Sequence, residues 1–291
     1  MKKSLVKIIT LILTVALFAT LASVFVGCGN SKKSQDKLYV GLECAYAPFN
    51  YTLTEQIPGA VPIYNSNYAR QSGAYAYGYD VQIAQKIADS LGKELVVVKL
   101  EWDALIPAVK AGTIDLIIAG MSPTATRKES IDFSNVYYES QLVVVVRKDG
   151  AFANASSLSD LAGAKIVAQN GTFHNDALQA QASAHGIVAG QPMEDFPEMI
   201  NALNTRAIDG YVAEEPGAIE NCASNDSFTY IHLQNNSTGF IATADDVAIA
   251  VGLKKGNSLL DSVNQALVGI SQHDRAQMMQ DAITKSNGAV E

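Results

Sequence analysis

The sequence predicts an α/β protein of two lobes, and three observations carry that prediction. Strand and helix patterns alternate along the chain, one helix-strand unit recurs at a fixed offset, and 291 residues exceed one ordinary domain without reaching three. "KLYVGLE" reads as a strand. "GYDVQIAQKIADSLG" carries apolar residues at Val81, Ile83, Ala84, Ile87, Ala88 and Leu91, with Gly92 past its end, the pattern of an amphipathic helix with a glycine cap. "ELVVVKL" (strand), "WDALIPAVKAG" (helix) and "TIDLIIAG" (strand) follow, so the sheet is expected to be largely parallel. The order then returns: "AKIVAQ" as a strand, a helix in "GTFHNDALQAQAS", a helix in "FPEMINALN" and a strand in "IDGYVAEE".

The recurrence can be counted. Residues 105–120 set against 199–214, an offset of 94, match at Ile106/Ile200, Ala108/Ala202, Ile114/Ile208, Asp115/Asp209 and Ala119/Ala213. Two unrelated helix-strand units could produce this, but so would two lobes of like construction. Gly120 and Glu214 then hold equivalent places, just past the carboxyl end of a buried strand, where open α/β sheets bind ligands.

The N-terminus has a different character. "MKKSLVK" is a basic leader, Ile8 to Val26 is almost continuously apolar, and "GCGNSKKSQDK" follows, the layout of an export signal. A signal ending in Gly27-Cys28 before a polar tether resembles the bacterial lipoprotein type, which implies lipidation of Cys28 and a working domain held outside the cytoplasm; Phe25 stands where that pattern usually has leucine. Removing Lys2, Lys3 and Lys7 from the 21 basic residues leaves 18 against 29 acidic, a net charge of −11. That excludes nucleic acid and anionic lipid headgroups as natural partners. Beyond Cys28 only Cys44 and Cys222 remain, neither at metal-ligand spacing, so both read as isolated thiols and no metal or cofactor is expected.

"AGMSPTATRKESIDFS" places one arginine among hydroxyl-bearing residues past the end of a strand. Ser122 or Thr124 can cap a short helix there, and the Arg127 fork matches a carboxylate bidentately. The alternative is a surface pair between Arg127 and Glu129 or Asp132. No helix carries paired histidines, no glycines frame a serine nucleophile, and His174, His185, His232 and His273 are scattered, so no catalytic residue is assigned.

"GYDVQIAQKIADSLG", "EWDALIPAVKAGTIDLIIAGMSPTATRKESIDFS", "NVYY", "SLSDLAGAKIVAQNGT" and "AIDGYVAEEP" stand in the order seen in the bacterial polar amino-acid-binding proteins that serve ABC importers, and the chain resembles that family over about residues 38 to 270. The resemblance implies a two-lobe, periplasmic-binding-protein-like clamshell of type II, each lobe a mixed, mostly parallel sheet flanked by helices, with two crossing strands. The expected division is a signal peptide at 1–27, a lipidated tether at 28–37, one lobe from 38–139 with 236–291, and the other from 140–235. The partners implied are an L-amino acid, permease and ATPase subunits, and the membrane through the lipid anchor. A sensory lipoprotein, or a dehydratase-like enzyme on the same fold, would share this architecture.

Carried over residue by residue, the resemblance implies that Arg127 and Ser122 clamp the ligand α-carboxylate, with Thr172 and the amide of Phe173 as counterpart from the second lobe. The Gly120 carbonyl and Glu214 would hold the α-ammonium. Tyr46 and Trp102 would sandwich the side chain, Glu43 would read its far end, and His174 would stand at the rim. Arg127 and Glu214 consume the ligand's two fixed charges and leave Glu43 needing a cation, which points to lysine or arginine. Four departures from the family stand out. Gln82 replaces an acid at a position read as outward-facing, Arg206 replaces a helix-ending glycine, and the tail lacks an aromatic ending. Residues 53–76 are longer than usual and form either a flap or hairpin over the cleft, which could bring Arg70 into the pocket, or a surface loop.

Overall fold

The computed structural model describes residues 33–287; the expected signal peptide, Cys28 and the start of the tether lie outside the described residues. The first sheet begins with β1 (Lys37–Leu42), β2 (Ala45–Tyr46), β3 (Asn50–Leu53), β4 (Val61–Tyr64) and β5 (Arg70–Tyr77). Then come α1 (Tyr79–Ser90), β6 (Glu94–Lys99), α2 (Trp102–Ala111), β7 (Leu116–Ile117), α3 (Ala125–Ser130) and β8 (Ile131–Glu139). The second sheet takes β9 (Leu142–Arg147), β10 (Lys165–Val167), α4 (Phe173–Gln181), β11 (Val188–Ala189), α5 (Phe196–Asn204), β12 (Gly210–Glu214), α6 (Glu215–Ser224) and β13 (Phe228–His232). The chain returns through α7 (Ala244–Val247) to β14 (Ala248–Lys254), and ends with α8 (Leu260–Val268) and α9 (Gln272–Asn287). This is the mixed α/β, two-sheet architecture of a type II clamshell.

The first sheet runs β2-β3-β5-β4-β6-β1-β7-β14-β8 and the second β11-β10-β12-β9-β13. β6, β1 and β7 pair in parallel, and their valine- and leucine-rich runs are buried on both faces because helices cover them. In the second sheet "LVVVVR" lies between β12 and β13 and pairs antiparallel with each, so the parallel character expected there holds only for β10 with β11 and β12. The backbone passes between sheets at Ser140 and Gln141 and returns after His232. Ser140 N–H donates to the Val247 carbonyl at 3.0 Å, tying the two crossings together.

Residues 53–76 do form a hairpin, the expected alternative to a surface loop, but it lies within the first sheet and not over the cleft. β4 inserts between β5 and β6, so the extra residues widen the first sheet, and Arg70 lies exposed with its guanidinium 5.8 Å from the Tyr75 ring. Gln82 is not outward either: its Nε2 donates to the Met278 carbonyl of α9 at 2.9 Å.

The offset of 94 is structural. Gly112 ends α2 at φ +78 with Gly112 N–H on Val109 and Thr113 N–H on Ala108; Arg206 follows α5 at φ +62 with Arg206 N–H on Leu203 and Ala207 N–H on Ala202. Each partner in the second set lies 94 residues beyond its counterpart. Arg206 therefore keeps the left-handed cap that glycine adopts freely, at a cost of about 1 kcal/mol, offset only slightly by its exposed contact with Asp149 at 2.5 Å. Arg206→Gly is expected to stabilise the protein by about 0.5–1 kcal/mol in urea denaturation; an unchanged or lower midpoint would show that the Asp149 contact outweighs the backbone strain.

Candidate functional site

The Arg127 guanidinium turns inward. Thr124 caps α3, its Oγ1 accepting the Arg127 N–H at 3.4 Å, and this places the side chain across the gap between the sheets. Nη1 donates to the Ser122 carbonyl at 3.0 Å and Nη2 to the Gly171 carbonyl at 3.1 Å, while the guanidinium carbon stands 5.1 Å from the centre of the Trp102 ring. Neither acid considered from sequence holds it: Asp132 accepts instead from Gly256 N–H and Lys255. Burial lowers the guanidinium to about 10, so it remains charged at neutral pH. Among the described residues it makes no ion pair within 4.0 Å.

Trp102 opens α2, and its Nε1 also donates to Gly171, at 3.0 Å. Gly171 is at φ +65, which strains any other residue, and a Cβ there would come within 2.5 Å of the Asp103 carboxylate and displace it where the two lobes meet. Next to it, Thr172 caps α4, accepting from Asn175 N–H at 3.4 Å and donating to the Gln169 carbonyl at 2.6 Å. Phe173 is half-buried and His174 is buried at the start of the same helix.

His174 is not at a rim. Its Nε2 lies 2.9 Å from Oε2 of Glu214, the buried last residue of β12, although the two are not aligned as a hydrogen bond. Burial pushes Glu214 up to about 8 and, helped by the positive charge of Arg127, pushes His174 down to about 3. The pair is therefore a neutral acid beside a neutral imidazole.

At the other end, Tyr46 is buried between two rings. Phe49 stacks on it at 5.0 Å and Phe196, the first residue of α5, at 4.2 Å with planes 15° apart. The ring facing Tyr46 is thus Phe196, whereas Trp102 is engaged by Arg127. Gly120, at φ +63, lies against Tyr46, where an added Cβ would stand 3.2 Å from the ring. Glu43 is buried, and its Oε1 accepts from Nε2 of Gln169 in the second sheet at 2.7 Å. Burial raises Glu43 to about 8 against the opposing effect of that hydrogen bond.

Beneath Gly120 lies a group the sequence reading did not assign. The fully buried Asp80 accepts from Tyr137 Oη at 2.7 Å, Asn50 Nδ2 at 2.8 Å and the Gly120 backbone, holding the Gly120 segment in place. Phe196 and Gln169 were missed as well. Gln169 carried a usable signal, a polar residue closing an apolar strand run as Glu214 does; Phe196 carried none beyond following a helix cap.

Tyr46, Trp102, Gly120, Ser122, Arg127, Thr172, Phe173 and His174 line one cavity with Gln169 and Phe196; Glu43 joins it through Gln169, and Glu214 through His174. The cavity holds about 10 Å³, room for one water, so any larger guest requires the lobes to part. Of seven buried side-chain polar atoms lacking a hydrogen-bond partner among the described residues, four are here: Tyr46 Oη, both ring nitrogens of His174 and Glu214 Oε2. Such groups call for a polar guest.

The chain is 27% identical over 274 residues to an arginine-binding extracellular protein of Bacillus subtilis, covering 92% of each. It is 32% identical over 206 residues to a probable histidine-binding protein of Campylobacter jejuni, covering 71% of this chain and 74% of that one. Among solved structures, an amino acid ABC transporter substrate-binding protein from Streptococcus pneumoniae bound to L-arginine superposes with a TM-score of 0.72 at 26% identity, covering 86% of this chain and 95% of the other. No described helix is long and apolar enough to cross a membrane. With the family profile matching residues 59–283, most of its length, the chain belongs to the bacterial extracellular solute-binding proteins, family 3.

Proposed function

We propose that this protein captures a basic L-amino acid, lysine or arginine, outside the cytoplasm and delivers it to the permease and ATPase of an ABC importer. The observation that carries this is a charge count: one half-buried guanidinium whose hydrogen bonds among the described residues go only to carbonyls shares a cleft with two buried carboxyls, Glu43 and Glu214. A zwitterion satisfies Arg127 and Glu214, and a second cation on the side chain satisfies Glu43. Relatives named for arginine and histidine agree with a cationic or polar side chain.

In this reading the α-carboxylate meets Arg127, Ser122, Thr172 and the Phe173 amide; the α-ammonium meets the Gly120 carbonyl and Glu214; Tyr46 borders the side chain. Residues 38–139 with 236–291 form one lobe and 140–235 the other, and the crossings near Ser140 and Asn236 act as the hinge. The leader at 1–27 is removed, and lipid on Cys28 holds the 28–37 tether at the membrane. A thermal-shift panel of the twenty L-amino acids with ornithine and cystine tests the ligand class. Arginine or lysine is expected to give the largest rise, since a ligand that binds only the folded state at 100 times its dissociation constant adds about 2.7 kcal/mol. A neutral amino acid giving the largest rise would overturn the basic-ligand reading.

A further inference from the structure

A second cavity adjoins the first. It holds about 610 Å³, within the range of small-molecule sites, and runs between the β2-β3 hairpin and helices α5 and α6. Cys44, Ala45 and Ala47 border it on one side, Ile200, Asn221 and Phe228 on the other. Phe196 is the one residue lining both cavities, and its stack on Tyr46 is the partition between them. Because Tyr46 belongs to the first lobe and Phe196 to the second, parting the lobes parts the rings. A planar group stacked on both needs a gap of about 7–8 Å, two layers at 3.5–4.0 Å each, in place of the present 4.2 Å.

We propose that the ligand's side chain passes between Tyr46 and Phe196 and that its far end enters the 610 Å³ cavity, so that the site takes basic amino acids extended by alkyl groups on the terminal nitrogen. This rests on the basic-ligand reading and deepens it. The carboxyls beyond the partition suit a cation: Asp195 and Glu220 line the cavity, against the single Lys99. Asp195 is partly committed as the cap of α5 and Glu220 accepts from Ser224 and Ser286, whereas Glu43, one residue before the cavity-lining Cys44, accepts from Gln169 alone among the described residues. Phe196 is thereby a specificity-determining residue, setting which planar group slides against Tyr46, while the space past it sets no tight limit on length.

The test is calorimetric titration of the intact protein with L-arginine, Nω,Nω-dimethyl-L-arginine and Nω-propyl-L-arginine. A closed pocket rejects each added carbon by roughly tenfold or more, whereas a passage opening into free volume keeps both alkylated ligands within roughly tenfold of arginine. Ile200→Trp fills the second cavity from the α5 side, away from Arg127 and Glu214, and is expected to weaken the propyl ligand by roughly tenfold relative to arginine. Phe196→Leu, with folding checked by thermal melting, is expected to reduce the preference for planar guanidinium ligands over lysine by roughly threefold or more. Arginine binding with both alkylated ligands rejected by more than roughly tenfold, or Ile200→Trp leaving the propyl ligand unaffected, overturns the inference while the basic-ligand reading stands. Failure of arginine itself to bind overturns that reading instead.

Discussion

Arg127→Ala is expected to weaken amino-acid binding by about 2 to 5 kcal/mol, roughly 30- to several-thousand-fold in dissociation constant. The guanidinium is the only cation among the cavity-lining residues, and its two bonded nitrogens reach carbonyls rather than acids, so it keeps its full charge for a carboxylate. The Ser122 carbonyl and the Trp102 ring, 5.1 Å from the guanidinium carbon, position the fork from its own lobe before a ligand arrives, and Gly171 adds a contact from the second lobe on closure. Arg127→Lys is expected to be poor too, because a point charge matches neither the bidentate geometry nor the stacking on Trp102. Calorimetry checks both, and wild-type affinity in Arg127→Ala would refute the site assignment.

Glu214→Gln is expected to cost a similar amount, about 2 to 5 kcal/mol, and to change how binding depends on pH. Burial raises Glu43 and Glu214 to about 8 in the closed, ligand-free structure, so both hold a proton there at pH 7. Facing the ligand's cations they ionise, and the complex then carries fewer protons than its parts. Linkage sets the sign: binding releases protons and tightens as pH rises toward about 8, with no further gain above it. In the ligand-free structure burial and the positive charge of Arg127 lower His174 to about 3, so Glu214 and not the imidazole carries the proton before binding. The other charges felt by Glu43 are Asp195, Glu101 and Lys99, of which the two acids add to the upward shift. Titrations at pH 7 in buffers of different ionisation enthalpy are expected to show release in the wild type and about one proton less in Glu214→Gln. Equal release in the two proteins would show that Glu214 does not face the ammonium.

The architecture was legible because helix and strand periods are local properties. The buried stripe of α1, the valine run of β6 and the helix-strand units that recur at an offset of 94 all follow from residues near in sequence, and the left-handed caps at Gly112 and Arg206 show that the offset reflects one repeated backbone turn. What failed was non-local. Nothing in residues 53–76 says that β4 will insert between β5 and β6 rather than rise over the cleft, since that depends on a sheet edge built elsewhere. The candidate site divides the same way. Arg127, Gly120 and Glu214 announce themselves at strand ends, whereas the Tyr46–Phe196 stack and the Glu43–Gln169 bond join residues 126 to 150 positions apart that meet only when the lobes do, and the His174–Glu214 pair joins α4 to β12 within the second lobe, 40 positions apart.

The account turns on Glu43 reading a positive charge, and calorimetric titration of L-arginine and L-glutamine into the wild type and Glu43→Gln tests this most directly. Glu43 is buried with one oxygen held by Gln169, so an ionised carboxylate there is stable only beside a cation. In the wild type arginine is expected to bind at least roughly tenfold tighter than glutamine, and in Glu43→Gln that advantage is expected to disappear, with arginine weakened and glutamine unchanged or improved. Glutamine binding more tightly than arginine in the wild type, or arginine affinity unaffected by Glu43→Gln, would contradict it.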